Sequence, residues 1–278
     1  MIGARWANSV MNDEGRDAAR RPREPGAAPR ATRGGRAAAR GAGPRVEQQP
    51  AFVVHAVPWR ETSLIVDALT RDHGRVSLVA RGAKRPTSQF RGLLGAFNSL
   101  SISWSGRGEV KSLVRVDWLG GLAPVRGDGL LVAFYLNELI VRLLARGDPH
   151  PALFGAYVQA LRSLAAGGPG RDGALRSFEL DLLHEIGYGI VLDRTPDGEA
   201  VDPAARYRVD PTAGPLRVQG DAGGEAVRGA SLTAIEKRRF DDPIVAEDAR
   251  RLMRQLIGYH LGGRPLNTRR ILLDLRQL

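Results

Sequence analysis

Between Ala51 and Trp118 the chain rises five times into a short apolar run and is cut off each time by glycine, proline or a cluster of polar residues, and no other feature restricts its fold as much. The runs start at Phe52, Leu64, Arg75, Gly95 and Glu109 and are of strand length, rich in Val, Ile, Leu and Thr, with polar and apolar residues alternating over part of each. Phe52 and Val54 then share one side of the first strand, and Val53 and His55 the other. Leu64 to Thr70 and Arg75 to Ala80 are joined by Arg71-Asp72-His73-Gly74, a turn. Arg107-Gly108 is another, before a last strand over Glu109 to Trp118. Gly82 and Pro86 keep Arg81 to Ser88 from forming a regular strand, so a basic, mobile loop is expected between the third and fourth strands. The basic side chains of the stretch, Arg107 and Arg115 among them, are expected at strand ends, in loops or on faces turned to solvent. A domain from about Gln49 to Ala123, built as a small five-stranded barrel of the oligonucleotide-binding kind, is the economical solution.

From Leu119 to Asp128 the composition turns to Gly, Pro and Asp, as in a hinge, and beyond it the period changes. Apolar residues at spacings of three and four predict helices over Leu130 to Leu144, Pro151 to Ala165 and Arg171 to Ile186, the last closed by Gly187-Tyr188-Gly189. Residues 193 to 230 are rich in Asp, Pro, Gly and Arg and read as an irregular insert. Tyr207-Arg208-Val209 and Leu216-Arg217-Val218 are its possible strands. Further helices are expected over Leu232 to Arg239, Ile244 to Leu261 and Thr268 to Leu275. The second domain, residues 124 to 278, is thus mainly helical, and the whole is an α+β protein.

Charge narrows the partner classes. Net charge is +11, and residues 49 to 126 hold eleven Lys and Arg against five acids. A cationic barrel suits a polyanion: nucleic acid, an anionic membrane surface or an acidic protein. Residues 1 to 48 carry ten Arg against five acids and almost nothing to bury, so they are expected to be a disordered basic leader. That leader is an arm that clamps nucleic acid, a solvated extension, or the product of a coding start placed too far upstream. The absence of cysteine excludes disulfides, iron–sulfur clusters and thiolate zinc sites, and the five histidines are scattered. No run is long and apolar enough to cross a bilayer, which makes the cytoplasm the default expectation.

No phosphate-binding glycine loop, dinucleotide fingerprint or His-Glu-x-x-His motif occurs. The carboxylates Glu179, Asp181 and Glu185, and the pair Asp241 and Asp242, read as solvated helix or cap residues; a metal-dependent nuclease is the distant alternative. Among Phe52, Trp59, Phe90, Phe97 and Trp104, any of which could stack on a base, Phe52, Phe97 and Trp104 lie in apolar strands and read as core. Trp59, between Pro58 and Arg60, is the candidate for an exposed ring.

Ala51-Phe52-Val53-Val54-His55 with Pro58-Trp59-Arg60-Glu61-Thr62-Ser63, followed by Gly74 to Ala83, resembles the start of the bacterial recombination mediator family RecO. Gly106 to Lys111 is similar to its last barrel strand and Tyr135-Leu136-Asn137-Glu138-Leu139 to its first core helix. Phe178 to Leu183, Gly187-Tyr188-Gly189 and Leu261-Gly262-Gly263-Arg264-Pro265-Leu266 complete a likeness from about Ala51 to Leu275. The resemblance implies an OB-fold followed by a helical domain, with no catalytic residues and no cofactor. It also implies binding of single- and double-stranded DNA, annealing of complementary strands, association with RecR, capture of the C-terminal tail of the single-stranded DNA-binding protein, and help in loading RecA. Many members hold zinc with four cysteines in the insert; this sequence has none there and is similar to the zinc-free branch. By position, Arg60, Arg75, Arg81, Lys84, Arg85, Arg91 and Lys111 become the expected DNA-binding surface. Arg142, Arg146, Arg250, Arg251, Arg254 and Arg264 become candidates for receiving an acidic peptide with an apolar end. A protein adaptor that does not touch DNA is the competing reading.

Overall fold

The computed structural model describes residues 43–168, 170–219, 226–268 and 270. The leader expected over residues 1 to 48 lies outside them up to residue 42, and so does most of the helix expected over Thr268 to Leu275. Strands β1 (Arg45–Trp59), β2 (Ser63–Thr70), β3 (Gly74–Ala80), β4 (Leu100–Ser105) and β5 (Val110–Trp118) close a barrel in the order β1-β2-β3-β5-β4. Of these neighbours, β3 and β5 run parallel and the rest antiparallel. This is the five-stranded OB-fold.

The first strand begins at Arg45, not at Gln49, so the last residues of the supposed leader belong to the barrel. Val46 pairs with Trp104 and packs on the barrel core, which a stretch reading Arg-Val-Glu-Gln-Gln scarcely advertises. Two bulges let so long a strand curl far enough to pair with β4 by its first half and with β2 by its second. At the first bulge Gln48 takes a left-handed φ of 52°, and its N–H is satisfied by Ser103 Oγ at 3.1 Å.

Alternation along β1 feeds two cores. Ala51 and Val53 point into the barrel with Val66, Leu78, Ile102 and Trp104, while Phe52 and Val54 join Leu69 in the core of the helical region. The Phe52 ring meets Phe154 at 5.6 Å and Tyr157 at 5.3 Å. A polar seam reinforces this packing. Arg75 on β3 is buried, donates to the carbonyl of Leu144 at 3.1 and 2.9 Å, and pairs with Asp67 at 3.2 Å. Gly74 comes so close that a Cβ on it would stand 2.0 Å from the Asp148 carbonyl oxygen.

Helices α1 (Asp128–Leu143), α2 (Pro151–Ala166) and α3 (Gly170–Glu185) follow. The chain leaves α3 through Gly187 at φ 81°, with Tyr188 N–H donated back to the Leu183 carbonyl at 2.7 Å. A Cβ at Gly189 would lie 2.7 Å from His184 Cα, which accounts for the second glycine of Gly-Tyr-Gly. The insert is more regular than its composition suggests. Strands β6 (Arg206–Asp210), β7 (Gly214–Arg217) and β8 (Val227–Arg228) make a small sheet in the order β7-β6-β8. It is held without any cysteine: Tyr207, Val209 and Val227 bury in the helical core, and the Tyr207 hydroxyl accepts the Asp202 N–H at 2.9 Å. Helix α4 (Gly229–Glu236) leads to α5 (Pro243–His260), whose first turn is capped by the Asp242 carboxylate accepting from Ile244 N–H at 2.8 Å.

Candidate nucleic-acid and peptide-binding surfaces

One end of the barrel gathers most of the expected DNA-binding cations. The β1–β2 hairpin carries Trp59 and Arg60, and the loop between β3 and β4 carries Arg81, Lys84, Arg85 and Arg91. Two hydrogen bonds tie hairpin and loop together: Lys84 N–H to the Thr62 carbonyl at 2.8 Å and Gly82 N–H to Ser63 Oγ at 3.3 Å. A succession of turns orders the loop, and Phe90 plugs it into the barrel core. Arg60, Arg81, Lys84, Arg85 and Arg91 are exposed, and among the described residues none has a carboxylate partner. Arg60 holds a left-handed φ of 53°, a conformation that glycine or asparagine adopts with less strain. Its guanidinium carbon sits 5.8 Å from the centre of the Trp59 ring, which is 44% exposed. Lys111 lies on the adjoining wall, in register with Leu78 of β3.

Arg75 does not belong to this surface. Its guanidinium is spent on Asp67 and the Leu144 carbonyl inside the seam, and burial lowers its pKa against the pull of Asp67. Arg115, also expected on an open face, is exposed but paired with Asp117 at 2.7 Å. Of the five aromatic rings considered for stacking, Phe52, Phe90 and Trp104 are buried, and Phe97 lies edge-on to Phe134 at 5.0 Å. Trp59 is the one left open to solvent.

A second surface lies on the helical region. A groove of about 630 Å³ runs between α1, α3, α5 and the segment after α5, with Val132, Leu175, Ile257, Leu261 and Leu266 as its apolar lining. Arg250, Arg254 and Arg264 line it, joined by Arg176 and Arg270, which sequence reasoning missed. Arg250 is engaged by Glu247 at 2.7 Å and by Asp172 at 3.3 Å. Arg254, Arg264 and Arg270 have no ion pair among the described residues. Arg176 is anchored from beneath by Glu179 at 2.6 Å, whose other oxygen accepts the Tyr135 hydroxyl at 2.6 Å. Burial pushes the Glu179 carboxyl above its ordinary range despite Arg176 and Tyr135.

The other three expected arginines point elsewhere. Successive residues on a helix lie about 100° apart, so Arg251 leaves the stripe of Arg250 and Arg254 and pairs with buried Asp248. Arg146 reaches Asp67 at 3.5 Å in the barrel seam. Arg142 pairs with Glu138 at 2.9 Å beside the groove. Glu138 also accepts the N–H groups of Asn267 and Thr268 and the Thr268 hydroxyl, at 2.8, 2.9 and 2.8 Å, pinning the segment that forms one groove wall.

Four of the five carboxylates weighed for metal chemistry are otherwise engaged. Glu179 is buried under Arg176, Asp181 takes Arg238 at 2.8 Å, Glu185 meets His150 at 3.3 Å and Asp242 caps α5. Among the described residues no three His, Asp or Glu side chains converge as a metal site, and no helix is long and apolar enough to cross a membrane.

Two family models coincide with the two halves of this architecture. The one described as "Recombination protein O N terminal" matches residues 45–122, the barrel, and the one described as "Recombination protein O C terminal" matches residues 126–270. The chain belongs to the RecO family. The first RecO match begins at Arg45, where β1 begins. Among relatives named "DNA repair protein RecO", that of Ralstonia nicotianae is 51% identical over 257 residues, covering 92% of this chain and 94% of that protein. Those of Burkholderia orbicola and Aromatoleum aromaticum are each 49% identical over 236 residues, covering 84% of this chain and 84% and 98% of theirs. Membership of the RecO family supports a role in DNA repair and recombination.

Proposed function

We infer that this protein is a non-catalytic recombination mediator of the bacterial cytoplasm. It binds single- and double-stranded DNA through the barrel end, anneals complementary strands, and acts with RecR to load RecA onto DNA coated by the single-stranded DNA-binding protein. That protein's acidic tail is received in the arginine-rimmed groove of the helical region. The observation that carries the reading is the cluster at the barrel end: Arg60, Arg81, Lys84, Arg85 and Arg91 exposed together, unneutralised by any described carboxylate. Cations without internal partners interact with phosphate at no cost in broken ion pairs, and each phosphate they neutralise releases counterions. Annealing follows from neutralising two backbones at once and exchanging partners quickly, with no covalent step. The groove supports the second half of the reading, since an acidic peptide with an apolar end needs both a greasy notch and cations beside it.

The test is a salt titration of oligonucleotide binding with a Lys84→Glu/Arg85→Glu double variant. Affinity should fall for single strands and duplex alike. The slope of log affinity against log salt should flatten by about 0.7–0.9 for each phosphate that is no longer neutralised. Wild-type affinity and slope in the variant would remove this end of the barrel from the DNA interface, and a wild-type chain that binds no oligonucleotide at low salt would favour the pure adaptor.

A further inference from the structure

Beneath the β3–β4 loop lies a depression of about 400 Å³, lined by Leu64, Pro86, Phe90 and Leu94 and flanked by Lys84 and Arg91. We propose that it seats one unstacked nucleobase of single-stranded DNA while Lys84 and Arg91 neutralise the phosphates on either side. The proposal rests on the DNA-binding reading above and adds to it a means of telling single strand from duplex.

The chemistry of the walls selects the occupant. About half of the exposed wall is apolar and half polar, with Lys84 and Arg91 among the lining residues. A flat heterocycle can bury a face against the apolar half while its charged backbone meets the cations, whereas a bare phosphate would use only the polar half. The size falls at the lower end of the range for ligand clefts, about 300–1,000 Å³. The depression is preformed. Hydrogen bonds from Ser88 N–H to the Arg85 carbonyl, Arg91 N–H to the Ser88 carbonyl and Leu93 N–H to the Phe90 carbonyl, at 3.0, 3.2 and 3.2 Å, fold the loop into successive turns. Arg91 donates to the Pro86 carbonyl at 3.2 Å, which holds its guanidinium at the edge. Gly92 and Gly95 border the mouth without side chains, and around Gly92 nothing lies within 4 Å of where a Cβ would be.

Position supplies the rest. The Lys84–Thr62 backbone hydrogen bond puts the depression at the same end of the barrel as exposed Trp59, where a neighbouring base can stack. The cations alone attract any nucleic acid. A base held in a duplex reaches the depression only after leaving its pair and its stack, so this site favours the single strand.

Fluorescence anisotropy on the full chain tests this with three probes: a short single strand, the same strand with its central bases replaced by abasic sites, and a duplex. The wild type should bind the intact strand about tenfold more tightly than the abasic one, the scale of one base stacked on protein. Leu94→Trp fills the depression with a neutral side chain. It should bind duplex as the wild type does, which reports that the chain is folded, and should lose most of the preference for bases. A wild type indifferent to abasic substitution overturns the proposal, and so does a Leu94→Trp variant that keeps the full preference or weakens duplex binding equally. As a check free of any variant, a central 2-aminopurine should brighten when the wild type binds, because it leaves its neighbours' stack; an unchanged signal counts against the seat. Failure of the wild type to bind any of the three probes would instead bring down the DNA-binding reading itself.

Discussion

Replacing Gly258 by leucine should separate peptide capture from stability, because the two effects have opposite signs. Gly258 lines the groove on α5, and a Cβ added there would find nothing within 4 Å. Its φ is not in the left-handed range, so the new side chain brings no backbone strain. Inside a helix the exchange should gain about 0.5–1 kcal/mol by removing glycine's conformational freedom. A chain of this size should then melt a few degrees higher, at roughly 2–4 °C per kcal/mol. The leucine meanwhile occupies the space that an apolar peptide terminus would fill. Burial of such a side chain is worth roughly 1.5–3 kcal/mol. At about 1.4 kcal/mol per decade, affinity for the peptide should fall between about tenfold and a hundredfold. The assay is anisotropy of a labelled acidic peptide ending in phenylalanine, run beside thermal unfolding of the same preparations. Unchanged peptide affinity together with a raised melting temperature would refute the assignment of the groove, since the leucine would then be present, tolerated and irrelevant.

Three further outcomes follow from the same geometry. Arg75→Met breaks a buried pair and leaves Asp67 with Ser77 and the half-exposed Arg146, so it should cost about 3 kcal/mol in urea unfolding, the low end for a broken buried pair; the salt slope of DNA binding should stay as in the wild type, and a flatter slope would return Arg75 to the interface. Phe52→Ala removes a ring wedged between Phe154 and Tyr157 and should cost about 3–5 kcal/mol, with barrel and helices unfolding in one transition by circular dichroism and tryptophan fluorescence. Burial alone would raise the Glu138 carboxyl, but hydrogen bonds from Thr268 and Asn267 and the charge of Arg142 hold it below its ordinary value. The unfolded chain therefore binds this proton more tightly. The pinning of residues 267 and 268 is complete above about pH 4.3, the usual glutamate pKa, and is lost as pH falls below it through the folded value. Protection of the Asn267 and Thr268 amides, taken relative to the intrinsic exchange rate at each pH, should be high at neutral pH and fall in acid before the helical core opens; protection that never falls before global unfolding would count against Glu138 as the pin.

Four strands of the barrel were legible because Val, Ile and Leu alternate between turn residues that punctuate the chain; the fourth in order, expected from Gly95, begins only at Leu100. Helices α1, α2, α3 and α5 were legible because their apolar spacing is three and four. The polar opening of β1 was not, since Arg45, Glu47 and Gln48 face outward and only Val46 packs on the barrel core. Arg75 reads as one more cation on a β-hairpin, and nothing near it in sequence announces that a carbonyl 69 residues away will claim it. Arg251 and Arg254 look equivalent in a composition count and separate only once helical phase is applied with Asp248 on the same side as Arg251. Arg176 was discoverable, three residues before Glu179 on a helix that also presents Leu175. Arg270 was not, because it enters the groove only through the fold of the segment after α5.

Because β1 donates alternate side chains to two interiors, neither half of the molecule is a detachable part. Cutting the chain near residue 124 would leave the barrel with Phe52, Val54 and Leu69 facing water and the helices with an unfilled hollow where those residues had been. The cationic end of the barrel and the arginine-rimmed groove thereby share one packed interior, so under the proposed function a strand bound at the first and a peptide bound at the second would be presented to each other by the same body.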